Sequence, residues 1–324
     1  CMVQVGGMTL IERSLRILDQ EGLSRIVLVT GYQADGLVEH VKSLGVQTPI
    51  VFVHNAEYEK TSNLYSLLLA KEYLVQEDTL VIESDVIFEK ALADRMLASE
   101  QPCLTFVSKP EPWMDGSLVT LDENGYIKKF INAENFRFEE KDQYYKTVSM
   151  YRLSGKYLRK TYLPFLEAYV RVWGKDTHYE SALRVVAFQD KPTIATIVLQ
   201  GEKWYEINDI QDMDIAESIF AEGDEKLTRY MRRFGGYWRY HGMHDFCYLV
   251  NPFFPNQRFM DEMKTNFETL IREYPSGMAV NSLLAAKYFE LRPEQICVGN
   301  GTAELIKSLM ENFSGRLGLI YPTF

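Results

Sequence analysis

The sequence predicts an α/β protein with a mostly parallel, doubly wound sheet. Short apolar runs recur at Ile26-Val27-Leu28-Val29-Thr30, Ile50-Val51-Phe52-Val53, Leu80-Val81-Ile82 and Leu104-Thr105-Phe106-Val107. Runs this short, with no polar alternation, suit strands covered on both faces. Between them lie amphipathic stretches long enough to be crossover helices, and that alternation is the pattern of parallel α/β sheets.

In chain order, Ile11, Leu15, Ile17 and Leu18 carry a helical pattern, Gly31 ends the first strand, and 34–43 reads as a helix. A helix over 63–75 places Leu64, Leu67, Leu68 and Tyr73 on one side, and another lies near 89–99. The segment 117–131 changes character. Leu118 to Leu121, the turn Asp122-Glu123-Asn124-Gly125 and Tyr126 to Ile131 read as a hairpin, with φ above zero expected at both Asn124 and Gly125. Helices near 155–171 and 178–187, a strand near 194–200 and helices near 210–221 and 224–233 complete a first domain, 1–234. The Gly-rich, aromatic seam Phe234-Gly235-Gly236-Tyr237-Trp238 breaks the helical pattern, so 235–244 is expected to be a linker. In 245–324 the pattern gives helices near 256–273 and 279–289, a strand at 295–298, a helix from Gly299-Asn300-Gly301-Thr302 to about 313, and the strand-like Gly318-Leu319-Ile320. Starting at Cys1 and stopping just after that run, the chain reads as an internal piece of a longer polypeptide.

Composition narrows the function classes. In 324 residues, 46% hydrophobic and 25% charged, there is apolar material for about two packed domains, which rules out disorder as the dominant state. Every apolar run is broken by charge well before the roughly 18 residues of a membrane span. A net charge of −10 disfavours broad capture of nucleic acid or anionic membrane. Cys1, Cys103, Cys247 and Cys297 lack zinc or CxxC spacing and read as thiols of a reducing, cytoplasmic compartment.

Two polar clusters carry the chemistry of the first domain. Glu83-Ser84-Asp85 follows the third strand, at the carboxyl edge where open α/β sheets bind ligands. Trp204-Tyr205-Glu206-Ile207-Asn208-Asp209-Ile210-Gln211-Asp212 leads from a strand into a helix. Two strand-end sets of oxygen ligands suit Mg²⁺, which prefers a few protein oxygens plus substrate phosphates; a helix cap or a solvated loop acid is the plainer alternative for any one of them. Trp113, Trp173, Tyr179 and Glu180 are candidates for embracing an ammonium group, or else pack under loops. Lys128, Lys129 and Lys146 are candidates for neutralising phosphate or phosphonate oxygens, or else are solvated.

Residues 1–228 resemble nucleotidyltransferases of the sugar-phosphate and phosphocholine cytidylyltransferase superfamily. The resemblance rests on Val5-Gly6-Gly7-Met8-Thr9-Leu10-Ile11, Val29-Thr30-Gly31-Tyr32, Asn55-Ala56-Glu57-Tyr58, Thr61-Ser62-Asn63-Leu64-Tyr65-Ser66-Leu67, Glu83-Ser84-Asp85-Val86 and Glu206 to Asp212. It implies a Rossmann-like, GT-A-like domain using Mg²⁺. Asp85 and Asn208 fall on its two metal positions, with Asp209 expected to share the second, because relatives commonly have Asp there. Ser62, Asn63 and Ser66 match positions near the base and the substrate. The family's Gly-rich phosphate loop and Pro-Lys dipeptide would lie just upstream of Cys1, so the chain alone is expected to lack catalytic competence.

The second domain resembles the start of a fold-type I aminotransferase of the histidinol-phosphate branch, through Leu249-Val250-Asn251-Pro252, Tyr274-Pro275, Leu291-Arg292-Pro293, Gly299-Asn300-Gly301-Thr302 and Tyr321-Pro322-Thr323-Phe324. By that resemblance Gly301, Thr302 and Ala303 cradle the phosphate of pyridoxal phosphate, the catalytic lysine lies downstream, and the parent protein is a homodimer through this domain. Together the halves resemble the bifunctional 2-aminoethylphosphonate cytidylyltransferase/aminotransferases. That implies CMP transfer from CTP to an amine-bearing phosphonate, most simply 2-aminoethylphosphonate, with release of pyrophosphate. The rivals are phosphocholine cytidylylation, sugar-1-phosphate nucleotidylation and, in another class, a non-catalytic nucleotide-binding regulator.

Overall fold

The structure is a computed structural model that describes residues 1–111, 114, 116–187, 193–232 and 251–321. The chain divides into two compact units, Cys1–His244 and Asp245–Phe324. The segment 235–244, expected to be a linker, lies outside the described residues.

The first unit opens with the antiparallel pair β1 (Gln4–Val5) and β2 (Met8–Thr9). Gly6 and Gly7 close the turn between them at φ 60° and 77°, values that side chains rarely adopt. Thr9 then caps α1 (Leu10–Leu18), its hydroxyl accepting from the Glu12 amide, and the helix buries Leu10, Ile11 and Leu15. The parallel pair β3 (Ile26–Thr30) and β4 (Ile50–His54) is joined by the crossover helix α2 (Ala34–Ser43). Next come α3 (Asn63–Leu69), α4 (Lys71–Leu74), β5 (Thr79–Ile82), β6 (Val86–Phe88), α5 (Lys90–Leu97) and β7 (Cys103–Ser108). The hairpin β8 (Leu118–Leu121) and β9 (Ile127–Ile131) precedes the long strand β10 (Tyr145–Leu153). After β10, α6 (Gly155–Tyr157) runs through a π turn into α7 (Leu163–Trp173), followed by α8 (Tyr179–Ala187), β11 (Ala195–Val198), β12 (Trp204–Glu206), α9 (Ile210–Phe220) and α10 (Gly223–Arg232).

The main sheet has the order β11-β7-β10-β8-β9, with β5 also paired to β10. β11 is parallel to β7, but β10 runs antiparallel to β5, β7 and β8. The sheet is therefore mixed, not mostly parallel. The sequence pattern misses β10 because Lys146, Thr147 and Ser149 interrupt its apolar run. All three are nonetheless buried, satisfied by acidic partners rather than by apolar neighbours.

The register of β10 explains where the site lies. Tyr145 and Lys146 pair with β8, whereas Met150 to Leu153 pair with β5, so the strand changes neighbour in mid-course. The change falls at a bulge opposite β7, where Ser149 takes φ 56°. A bulge re-aims side chains and loosens the ladder, and such features collect beside functional sites. On one sheet face, Tyr151 and Leu153 join Phe130, Tyr162, Leu166 and Leu183 in a core beneath α7 and α8. On the other, Val148 and Met150 pack with Phe88, Leu92, Met96, Phe106 and Trp204.

The hairpin turn differs from the expected two-residue form. Gly125 takes φ 79°, but Asn124 does not enter the positive-φ region. Asp122 Oδ1 instead accepts from the amides of Asn124 and Tyr126, and the Gly125 amide donates to the Asp122 carbonyl. A longer turn stabilised by Asp122 thus needs a left-handed residue only at Gly125.

In the second unit, α11 (Gln257–Arg272) is capped by Asn256, whose side chain accepts from the Phe259 amide. α12 (Met278–Tyr288) and α13 (Thr302–Asn312) follow. Ala286 is the buried apolar residue here, while Phe259, Ile271, Leu284 and Leu309 stay exposed among the described residues. The runs 295–298 and 318–320 form no strands, because neither finds a neighbour with which to share a ladder.

Phe106 is fully buried at the sheet centre. Phe106→Ala should lower unfolding free energy by about 3–5 kcal/mol, read from urea denaturation followed by tryptophan fluorescence; a loss under about 1 kcal/mol would contradict this placement of the core.

Candidate active site

The two polar clusters meet at the edge of the sheet. Residues 83–85 link β5 to β6, and β12 pairs antiparallel with β6, setting Glu206 opposite Val86. The Ile207 amide donates to the Asp85 carbonyl at 3.0 Å, and the Glu83 amide donates to the Ser149 carbonyl at 3.2 Å. Backbone pairing thus gathers Glu83, Asp85, Glu206 and the bulge of β10. Glu206 is the anchor of the group. Its Oε2 accepts from Lys146 Nζ at 2.8 Å and from Ser149 Oγ at 3.2 Å, and its Oε1 accepts from Asn208 Nδ2 at 3.3 Å. A small cavity beside it is lined by Met114, Lys146, Tyr205, Glu206, Asn208 and Asp212.

The electrostatics are those of crowded acids. Glu83 is pushed up to about 7, first by burial and then by the charges of Asp85, Glu180 and Glu206. Asp85 is also raised, by burial and by Glu206, against a smaller opposing pull from its own amide and from Lys146. Its Oδ1 is buried with no hydrogen-bond partner. An orphaned carboxylate oxygen is costly to bury unless a cation completes it.

Several expected site residues have other tasks. Asp209 is the N-cap of α9: its Oδ1 accepts from the amides of Gln211 and Asp212, and the Asp212 side chain closes a capping box. That oxygen serves the helix, which leaves Asp209 Oδ2, the Glu206 carboxylate and the Asn208 side-chain oxygen as the donors of this cluster that could serve a second metal position. Tyr179 is not an exposed π face. It is buried, edge-on to Tyr151, with its unpartnered hydroxyl close to Glu83. Glu180 accepts from the hydroxyls of Ser117, Thr147 and Tyr151, which leaves it little capacity for a substrate amine. Lys129 is exposed on the hairpin, where a solvated role fits it, whereas Lys146 is buried. Trp113 lies outside the described residues, and Trp173 is largely exposed at the end of α7.

Ser62, Asn63 and Ser66 sit at the start of α3, after the carboxyl end of β4. The Ser62 amide donates to the Lys175 carbonyl, Asn63 Oδ1 accepts from the Tyr179 amide, and Ser66 Oγ accepts from the buried Asn55 side chain. Asn63 therefore reaches the acidic cluster through Tyr179 and Glu83. In the second unit, Gly301 precedes Thr302 and Ala303 at the start of α13, with φ 93° and no side-chain cap. The pattern of the sequence points to the region of Glu206 and Lys146 but not to their pairing. That follows from two strands, β10 and β12, whose neighbours are distant in sequence.

The donor set fits a hard divalent cation. Mg²⁺ takes one or two carboxylates and leaves its other positions to water and phosphate. Asp85 Oδ1, the Glu206 carboxylate and the Asn208 side-chain oxygen are donors of that kind. Among the described residues there is no group of three or more His, Cys, Asp or Glu side chains that could hold a metal ion. No helix among the described residues is long and apolar enough to cross a membrane.

Residues 8–220 match the family described as "Domain of unknown function (DUF6564)". The chain belongs to that family. It is 29% identical over 310 residues to the CMP-5'-(3-aminopropyl)phosphonate synthase of Streptomyces rubellomurinus, covering 95% of this chain and 49% of that protein. The chain thus spans about half the length of the first relatives it matches. Among solved structures it is similar to a CTP:phosphocholine cytidylyltransferase from Streptococcus pneumoniae, with a TM-score of 0.52 at 20% identity over 68% of this chain and 89% of that one. It is also similar to the inositol-1-phosphate CTP transferase from T. maritima, with a TM-score of 0.52 at 19% identity over 72% and 87%. The first unit of this DUF6564 protein has the α/β fold of nucleotidyltransferases.

Glu83 supplies a test without substrate. With chelator present, the native chain holds this proton up to about pH 7, against 4.5 for the ordinary carboxyl. The native state then binds more protons than the unfolded state, so stability falls as pH rises through this window. Glu83→Gln should flatten that fall between about pH 5 and pH 8 and add roughly 1–3 kcal/mol at the upper end. Thermal melts with the same pH slope in both proteins would show that Glu83 does not titrate there.

Proposed function

We propose that this chain carries a CTP-dependent nucleotidyltransferase that moves CMP onto a small phosphonate or phosphate bearing an amine. The observation that carries this reading is the buried, unpartnered Asp85 oxygen beside Glu206, at the carboxyl edge of a nucleotidyltransferase-type sheet. The relative named for CMP-aminopropylphosphonate synthesis favours an aminoalkylphosphonate acceptor. So does the charge of the site: Glu83, Asp85, Glu180 and Glu206 influence one another, a field suited to an ammonium group as well as a metal. Among such acceptors, 2-aminoethylphosphonate and its propyl homologue are the first choices.

A phosphonate oxygen would attack the α-phosphorus of CTP in line, forming the new P–O bond as the bond to pyrophosphate breaks. Mg²⁺ bound by Asp85, Glu206 and Asn208 would supply neutralisation of the charge gathering on the phosphoryl oxygens. The chain's residues keep those donors in position. Ser149, presented by the bulge, fixes Glu206, and the β6–β12 ladder fixes Glu206 against Asp85. Ser62, Asn63 and Ser66, after the carboxyl end of β4, would border the nucleotide. Pre-arranged charge acts in the transition state without reorganisation, which is why such groups accelerate transfer.

For the second unit, the proposal is the beginning of a pyridoxal phosphate-dependent aminotransferase domain that dimerises and makes the amine. The free amide end of α13 at Gly301, Thr302 and Ala303 supports a phosphate cradle there. Full-length protein lacking the visible absorbance of bound pyridoxal phosphate would remove this part alone.

The decisive assay is pyrophosphate release by the full-length protein, screened as nucleotides against acceptors. CTP with an aminoalkylphosphonate should lead the matrix, and Asp85→Asn should lower turnover by about two to four orders of magnitude with folding retained. Preference for a sugar 1-phosphate, or an active Asp85→Asn protein, would overturn the reading.

A further inference from the structure

We propose that Lys146 is a resident counter-cation of the metal site: its ammonium holds Glu206 while no divalent ion is present and must release it when the ion arrives. The inference rests on the metal-dependent reading above and adds a role for a residue that reading does not use.

Lys146 is 2% exposed, which is rare for a lysine and requires a paired charge. Its Nζ bonds Glu206 Oε2, an oxygen of the candidate metal site. The ammonium therefore occupies part of the space a divalent ion needs. It satisfies Glu206 but makes no hydrogen bond to Asp85, whose Oδ1 stays orphaned. Its charge is thus bonded to Glu206 and felt by Asp85, which it does not complete.

Two unusual backbone positions serve this contact. Gly116 has φ 111°, and a Cβ there would come within 2.4 Å of Lys146 Nζ. Ser149 has φ 56° at the bulge and donates its hydroxyl to the same Glu206 oxygen. Ser149 is a strained position, which persists where its surroundings over-determine it, whereas Gly116 leaves the room the ammonium fills; both converge on one ion pair. A divalent ion binding between Asp85 and Glu206 would repel that ammonium, and the nearest new partner for it is a polyphosphate oxygen arriving with the ion. Metal binding to the free protein should therefore be weak, and strong only together with the nucleotide.

The test is Mn²⁺ binding to the full-length protein and to Lys146→Met, followed by electron paramagnetic resonance, with thermal melts in parallel. Lys146→Met should melt lower in chelator, bind Mn²⁺ at least about ten-fold more tightly without nucleotide, and regain melting temperature as Mn²⁺ is added. Gly116→Ala, which crowds the ammonium off Glu206 but keeps the lysine, serves if Lys146→Met does not fold; it should tighten Mn²⁺ binding several-fold. A destabilised Lys146→Met that Mn²⁺ does not rescue, or unchanged Mn²⁺ affinity in the variant that folds, means the pair is only structural and overturns the proposal. If wild-type protein fails to bind Mn²⁺ even with CTP, the metal reading itself fails and this inference goes with it.

Discussion

The bond between Lys146 and Glu206 is the constraint around which the first unit is arranged. Neither group can be buried alone, since an isolated charge in a protein interior costs several kcal/mol. To meet, they need β10 beside β7, β12 beside β6, and a bulge that turns Ser149 toward the same carboxylate. The change of neighbour along β10, from β8 to β5, and its bulge against β7 fall beside the loop that carries Glu83 and Asp85. The site is held by charge pairing as well as by backbone ladders.

Its acids differ in their degree of satisfaction. Glu180 is saturated by three hydroxyls and behaves as part of the scaffold. Glu206 is held from both oxygens. Asp85 retains a bare oxygen, and Glu83 is pushed up to about 7, first by burial and then by the charges of its neighbours. Glu180 thus fixes the geometry, the bare Asp85 oxygen marks where a cation is wanted, and Glu206 would join it on releasing the Lys146 ammonium.

Much of the α/β alternation was legible in the sequence because β3, β4 and β7 are apolar runs joined to helices that follow the 3.6 period. β10 was not, because its buried Lys146, Thr147 and Ser149 answer to partners elsewhere in the chain. For the same reason the sheet was expected to be mostly parallel. Asp85 was legible as a strand-end acid. The second task of Asp209 was not legible, since a strand-to-helix Asp reads alike whether it caps the helix or binds a metal; the amides of Gln211 and Asp212 show that its Oδ1 caps α9. Tyr179 and Glu180 looked like a surface box for an amine, yet the packing of α8 against the sheet turns them inward. Glu206 emerges as a site residue only once β12 is laid beside β6.

The central claim is that Asp85 and Glu206 share one divalent ion. The most direct measurement is an anomalous-scattering crystal structure of the full-length protein with Mn²⁺ and a non-hydrolysable CTP analogue. A single Mn²⁺ peak touching Asp85 Oδ1 and the Glu206 carboxylate, with the nucleotide phosphates completing its shell, is the expected result. Nucleotide bound with Mn²⁺ elsewhere, or with Asp85 Oδ1 still unpartnered, would contradict the account.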